Sequence, residues 1–358
     1  MDLCKTTLVI FILLTFPDAG LLAQLDQDES DTSSTKIDPA GLDQQTARFD
    51  TLLRDGTLDE AENVAKQRVE TTIREAGSRS IDTAFALTDL GTVQVRTDQY
   101  DAAEQNFQSA IEIIGEVENR LHELVIDPLR GLGQTYLESG RPDLAARTFS
   151  AAIHIMRVNS GPHNIGQIEL LESLAESQLR VGKDQAARDT QDQIHAITAR
   201  YYRDDRLAMV TPLMRRGDWL FQTNSFHEAR DTYRQVVRII ESERGKKDLS
   251  LIEPLIKLGS TYLYVDTTGA QPLAGTPTAT GESYYRRAVR IAESAPATDW
   301  VRLARTRVAL GDFYTIWGDY NSAWSSYRRA WDLLSEDQSR HELRIDLFGD
   351  AYPLTKMS

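Results

Sequence analysis

The sequence repeats itself at an interval of 42 residues, and this period restricts the fold more than any other feature. In each repeat a glycine or alanine, called the anchor here, is followed by a second glycine or alanine further along the chain. In most repeats an aromatic residue stands four residues, about one helical turn, after this second small residue. The anchors are Gly91, Gly133, Ala175, Gly217, Gly259 and Gly311, and only the last interval is longer, by ten residues. Tandem similarity of this kind indicates stacked supersecondary units, each of which needs its neighbours in order to bury its apolar face.

Each repeat is predicted to be a helix, a short turn and a second helix. Breaker or polar residues separate two apolar runs, as at Ser139–Pro142 and Thr223–Ser225. Facing small residues let the two helix axes approach closely, and the aromatic side chain one turn along fills the space between units. We therefore expect seven helix pairs, the first at Asp43–Glu75 and the last ending near Leu334, followed by a short capping helix at Ser339–Phe348.

One repeat carries the residues of a known signature. Its run Leu132–Tyr136, followed by Ala145 and Phe149, resembles the tetratricopeptide repeat, which has Leu-Gly-x-x-Tyr and then Ala-x-x-x-Phe. Leu258–Tyr262 and Leu310–Tyr314 match the first half of that signature. The common period of the family is about 34 residues. The longer period here resembles the long-helix variant found in kinesin light chains and many bacterial proteins.

The resemblance implies an all-α fold, a right-handed superhelix (α-solenoid) of about seven stacked antiparallel helix pairs. It also implies that the first helices line a concave face that binds a protein or peptide. In this family the inward positions lie three residues before and one after each anchor, with others a turn along. Here these positions include Arg130, Gln134, Glu138, Glu172, Glu176, Arg180, Met214, Asp218, Gln222, Ile256, Ser260 and Tyr264. The candidate partner-binding residues among them are Arg130, Gln134, Glu172, Glu176, Asp218 and Tyr264.

The first 23 residues have the form of a secretory signal peptide. A short start with one lysine precedes the uncharged, mostly apolar run Thr6–Pro17, and the small residue Ala23 stands before Gln24. This pattern predicts cleavage after Ala23. We therefore expect a periplasmic or secreted protein that is not inserted in the membrane after cleavage, with an uncleaved anchor as the alternative.

The remaining segments are assigned by composition. Residues 24–43 are polar and acidic, which predicts a flexible linker between the signal and the fold. The repeat region is assigned to residues 44–348 and a tail to 349–358. Within the repeat region, residues 266–281 are rich in Gly, Pro and Thr, which predicts an insertion loop.

Composition and missing motifs restrict the function. The chain is 41% apolar and 26% charged, typical of a folded soluble protein, and its net charge of −14 argues against a nucleic-acid partner, which needs a basic face. No phosphate-binding loop, serine-hydrolase elbow or zinc-protease motif occurs, and the six histidines form no close pair at ligand spacing. The single cysteine, Cys4, lies within the predicted signal. We therefore expect no enzymatic activity, no cofactor and no metal.

These features favour a non-enzymatic protein- or peptide-binding scaffold of the bacterial cell envelope. The alternative is an accessory part of an envelope machine, because Phe348–Leu354, placed after helical repeats, is similar to the lead-in of some TonB-type energy transducers. A second possible binding region is the basic, aromatic C-terminal part, with Arg286, Trp300, Arg302 and Arg305. The identity of the partner and the oligomeric state are left open.

Overall fold

The computed structural model describes residues 39–264, 277–295 and 299–335, and these residues contain fourteen α-helices and no strand. In chain order the helices are α1 (Pro39–Asp55), α2 (Leu58–Ala76), α3 (Ile81–Arg96), α4 (Tyr100–Val117), α5 (Ile126–Glu138), α6 (Pro142–Ser160), α7 (Ile168–Arg180), α8 (Asp184–Tyr201), α9 (Val210–Gln222), α10 (Phe226–Arg244), α11 (Ile252–Ser260), α12 (Pro277–Glu293), α13 (Trp300–Trp317) and α14 (Tyr320–Ser335). Consecutive helices form seven helix–turn–helix pairs. The predicted all-α class and the number of pairs are therefore confirmed.

The chain divides into two compact units, residues 1–191 and residues 192–358. In the first unit the described helices are α1 to α7 with the start of α8, and the second unit contains the rest of α8 and α9 to α14. Each unit is a stretch of α-solenoid with its own buried core.

Two helices begin earlier than the composition predicted. α1 begins at Pro39 and α12 begins at Pro277, so the last five residues of the predicted linker and of the predicted insertion loop are helical. Proline is tolerated at a helix start because the first backbone N–H groups have no intrahelical acceptor. The rest of both segments, the signal peptide, the capping helix at Ser339–Phe348 and the tail lie outside the described residues.

Prolines recur five residues before three of the anchors and share one position in their helices. Pro128, Pro212 and Pro254 are each the third residue of their helix, in α5, α9 and α11. A proline in this first turn removes no helical hydrogen bond, and its fixed φ angle suits the helix. The recurrence is therefore a feature of the backbone.

The anchor glycines of the first unit make room for a buried phenylalanine ring. A Cβ atom at Gly91 would lie 2.9 Å from Phe107 Cζ, and one at Gly133 would lie 2.6 Å from Phe149 Cε1. Phe107 also lies against the following pair, because a Cβ at Gly131 would come within 2.3 Å of its ring. The nearest side chain to each anchor is thus the aromatic ring, and the expected filling of the space between pairs is confirmed at Phe107.

The second unit repeats this contact with tyrosine. A Cβ atom would lie 2.4 Å from the ring of Tyr233 at Gly217, and 2.4 Å from the ring of Tyr327 at Gly311. At Gly259 the corresponding distance, to Tyr285, is 2.6 Å. The ten additional residues between Gly259 and Tyr285 therefore leave the contact between the helices of that pair intact.

Candidate functional site

In the first unit, two of the candidate residues lie on α5 and are tied to neighbouring carboxylates. Arg130 pairs with Asp127 on its own helix at 2.6 Å and with Glu169 on α7 at 3.3 Å. The side-chain amide of Gln134 donates to a carboxylate oxygen of Glu138 at 2.6 Å. These contacts are exposed or half-buried, where an ion pair contributes only about 0–1 kcal/mol.

The other two candidates of the first unit lie on α7. Glu172 is half-buried, and Glu176 is exposed and pairs with Arg180 one turn along at 2.7 Å. A second nitrogen of Arg180 donates to the backbone carbonyl of Leu137, at the end of α5. The α5–α7 face is thus polar and carries both signs, as the sequence predicted.

In the second unit a recess of about 280 Å³ lies between α9, α10 and α11. Its lining consists of Asp218, Phe221, Gln222, Tyr233, Lys257 and Ser260. Three of these, Asp218, Gln222 and Ser260, are positions that the sequence predicted to face inward. Residues of α9 and α11 that the family register assigns to the inner face thus line one recess.

The carboxylate of Asp218 holds the polar side of this recess together. Its Oδ1 atom accepts a hydrogen bond from the Tyr233 hydroxyl at 2.6 Å and one from Lys257 Nζ at 2.6 Å. Burial raises the pKa of Tyr233, and the hydrogen bond to Asp218 raises it further, so the phenol stays a donor at neutral pH. The Asp218 and Lys257 side chains remain 38% and 32% exposed, which leaves this ion pair accessible to a ligand.

An aromatic cluster of Phe221, Phe226 and Tyr264 adjoins the recess. The exposed ring of Tyr264 stacks on Phe226 with a centroid distance of 5.0 Å and meets Phe221 edge-on at 5.3 Å. Phe221 also lines the recess, so the cluster continues its apolar side. The structure thus brings two of the candidates, Asp218 and Tyr264, to one place.

The repeats themselves identify the fold family. A family profile described as tetratricopeptide repeat matches residues 93–158. The chain carries tetratricopeptide repeats. No curated protein matches it significantly.

Solved structures of tetratricopeptide proteins share the fold. Repeats of a putative kinesin light chain from Podosopora anserina are 16% identical, with a TM-score of 0.52 over 58% of this chain and 98% of that chain. The C-terminal part of a tetratricopeptide protein from Cytophaga hutchinsonii is 12% identical, with a TM-score of 0.50 over 83% and 98%. A signal-transduction ATPase with a tetratricopeptide sensor from Pyrococcus horikoshii is 11% identical, with a TM-score of 0.54 over 85% and 44%. At these identities the likeness concerns the fold alone.

Sequence reasoning missed three residues of the recess: Phe221, Tyr233 and Lys257. The sequence did contain a signal for Tyr233. An aspartate one residue after the anchor glycine and a tyrosine sixteen residues after that glycine occur twice, as Asp218 with Tyr233 and as Asp312 with Tyr327. In the second pair the Tyr327 hydroxyl donates to the Asp312 carboxylate at 2.7 Å. Lys257 stands two residues before its anchor, a position that the family register does not assign to the inner face. The contact between Lys257 and Asp218 joins two neighbouring helix pairs, so it depends on how far one pair is shifted along the other.

Within 39–264, 277–295 and 299–335, no three His, Cys, Asp or Glu side chains lie close enough to hold a metal ion. No helix in those same ranges is both long and apolar enough to cross a membrane.

Proposed function

We propose that this chain is a non-enzymatic scaffold that binds a protein or peptide segment at the recess of its second unit. Tetratricopeptide repeats are an interaction fold, and each of their pairs contributes a few side chains to a shared surface. In this chain the surface with a concavity, an accessible ion pair and an exposed aromatic cluster lies on α9, α11 and the residues beside them.

The observation that carries the proposal is the combination of Asp218, Lys257 and the cluster around Tyr264. The volume of the recess, about 280 Å³, is slightly smaller than that of typical sites for drug-sized ligands, which begin at about 300 Å³. It is large enough for one or two side chains of a partner. Asp218 and Lys257 offer an acceptor and a donor that can orient a polar group of the partner. Tyr264 offers a large ring with a polar end, the type of residue that dominates binding energy at interfaces.

The affinity of an identified partner segment for the full chain tests this assignment. Tyr264→Ala and Lys257→Ala should each weaken binding by about tenfold or more, because truncating a central anchor costs ~2 kcal/mol. Lys247→Ala, in the exposed loop after α10, serves as the control and should leave the affinity unchanged. Melting curves of the Tyr264 and Lys247 variants should stay close to that of the parent, since exposed substitutions change stability by about 0.5 kcal/mol at most. Lys257 is half-buried, and loss of its ion pair with Asp218 should cost about 0–1 kcal/mol.

The basic aromatic C-terminal part is the competing location. Several of its arginines are engaged locally, as Arg286 pairs with Glu282 and Arg302 pairs with Asp299, both at 2.7 Å. A complex held there would weaken with added salt, because exposed charges are screened over about 10 Å at 0.1 M. A salt-sensitive complex that survives Tyr264→Ala and fails with Arg302→Glu would place the site in the C-terminal repeats instead.

The envelope location is a separate part of the proposal and rests on the first 23 residues. An apolar run that ends in a small residue before Gln24 supports export. Mass spectrometry of protein recovered from the cell envelope should give an N-terminus at Gln24. Intact Met1 in a soluble cytoplasmic fraction would contradict export without affecting the binding assignment.

A further inference from the structure

A second recess, of about 480 Å³, lies on the second helices of the pairs in the same unit, where the proposed function places nothing. Its lining comes from α8, α10 and the connection between α8 and α9: His195, Ala199, Tyr202, Arg203, Arg206, Met209, Gln235, Arg238 and Ile239. Three arginines and a histidine are present, and no carboxylate is among these described lining residues. This local positive charge stands out in a chain whose net charge is −14.

Two of the arginines replace residues that build the equivalent connection in neighbouring repeats. Arg203 stands 42 residues from Gly161 and from Gly245, which end their helices at φ angles of 85° and 94°. Arg206 stands 42 residues from Asn164 and from Asp248.

In those neighbouring repeats the side chains of Asn164 and Asp248 each accept a backbone N–H and cap a one-turn 3-10 helix. Residues 202–209 contain no such helix. At these two positions the repeat thus carries cations instead, and its turn is shaped by Asp205, whose carboxylate accepts the backbone N–H of Ala208 at 3.0 Å.

The arginines are only weakly engaged by carboxylates outside the recess. Arg206 reaches Glu243 at 3.4 Å, and Arg203 reaches its chain neighbour Asp204 at 3.5 Å with both side chains at least 80% exposed. Pairs of this kind contribute about 0–1 kcal/mol and are readily exchanged for another anion. Burial lowers the pKa of His195 and nearby Arg216 lowers it further, so the positive charge of the recess at neutral pH comes from the arginines.

We propose that this recess binds a small organic anion, a phosphate or carboxylate group carried on an apolar body. The guanidinium groups of Arg203, Arg206 and Arg238 supply donors that match the oxygens of such a group. The lining also contains apolar residues, and two of them, Met209 and Ile239, are largely buried. They offer an apolar surface to the body of the ligand. A volume of about 480 Å³ lies in the range of small-molecule sites, about 300–1,000 Å³, and accommodates one such molecule.

Isothermal titration calorimetry of the full chain tests the proposal, with phenyl phosphate and benzoate as the anionic probes and benzyl alcohol as the neutral one. At least one of the two anions should bind saturably, and benzyl alcohol should bind at least about tenfold more weakly, because it lacks the charge-assisted hydrogen bonds. Arg238→Gln should weaken binding of the anion about tenfold. Arg244→Gln, an exposed arginine further along α10, is the matched control and should have no effect.

A second variant, Arg203→Gln, guards against an effect of folding, since it alters the connection and leaves α10 untouched. It should weaken anion binding in the same direction, while the melting curves of both variants match the parent. Absence of saturable binding of either anion would overturn the proposal. So would equal binding of benzyl alcohol, or anion binding that neither Arg238→Gln nor Arg203→Gln changes.

Discussion

Substitution of the anchor Gly133 by leucine tests the packing rule on which the repeat is built. A Cβ atom at this position would lie 2.6, 2.8 and 2.9 Å from three atoms of the Phe149 ring, which is completely buried and cannot move aside cheaply. Overpacking of this kind costs ~1–3 kcal/mol, and the full leucine side chain places Gly133→Leu at the upper end. Helix propensity returns at most about 1 kcal/mol relative to glycine. The expected net loss is therefore about 2 kcal/mol.

Urea denaturation followed by circular dichroism measures this loss, and Gly115→Leu provides the control. Gly115 is also a helical glycine of the first unit, but a Cβ there would meet no ring: its neighbours are Arg120 Cγ at 3.2 Å and Arg120 Cα at 4.0 Å. Its substitution should leave stability unchanged or raise it. In addition, Gly133→Ala combined with Phe149→Leu should cost less than the sum of the two single changes, because a smaller side chain makes room for the added methyl group. Strict additivity, or a Gly133→Leu variant as stable as Gly115→Leu, would refute the reasoning.

Three further outcomes follow from the contacts. Burial and a hydrogen bond to Glu104 raise the pKa of Tyr136 to about 12. The stability that neutral Tyr136 provides is therefore complete below the unfolded pKa near 10 and is lost as the pH rises from about 10 to about 12. Tyr136→Phe should make the free energy of unfolding fall less steeply over this pH range. Tyr327→Phe should cost about 1 kcal/mol in urea denaturation, because it removes the hydrogen bond to Asp312. Pro254→Ala should change the melting temperature little, since this proline occupies the first turn of α11; a large loss would mean that it fixes the connection before the helix.

The period was sufficient to predict the architecture because it records a packing constraint. A residue without a side chain must recur wherever a buried ring crosses a helix, so the spacing of Gly91, Gly133 and Gly217 fixes the number of helix pairs. The constraint also survives the insertion between Gly259 and Tyr285. Composition predicted the helix starts less well, because proline in a Gly- and Thr-rich segment is compatible with both a loop and a first helical turn.

The candidate site could be predicted only in part, and the reason is geometric. The family register indicates which positions of a helix face inward, and Asp218, one of these positions, lines the recess. Which side chains meet across neighbouring pairs depends on the offset and rotation between helices, which a single sequence does not specify. Lys257 was therefore missed. The sequence also did not show that Arg130, assigned to an inward position, forms ion pairs with Asp127 and Glu169.

Site-specific photo-crosslinking in cells tests the central claim most directly, that a protein segment binds at the recess formed by α9 and α11. A photoreactive residue in place of Gln222, which lines the recess, should yield one defined protein adduct that mass spectrometry maps to a single partner segment. The same residue in place of Lys247, exposed on the loop after α10, should not yield that adduct. An adduct of equal strength at both positions, or one at Lys247 alone, would contradict the account.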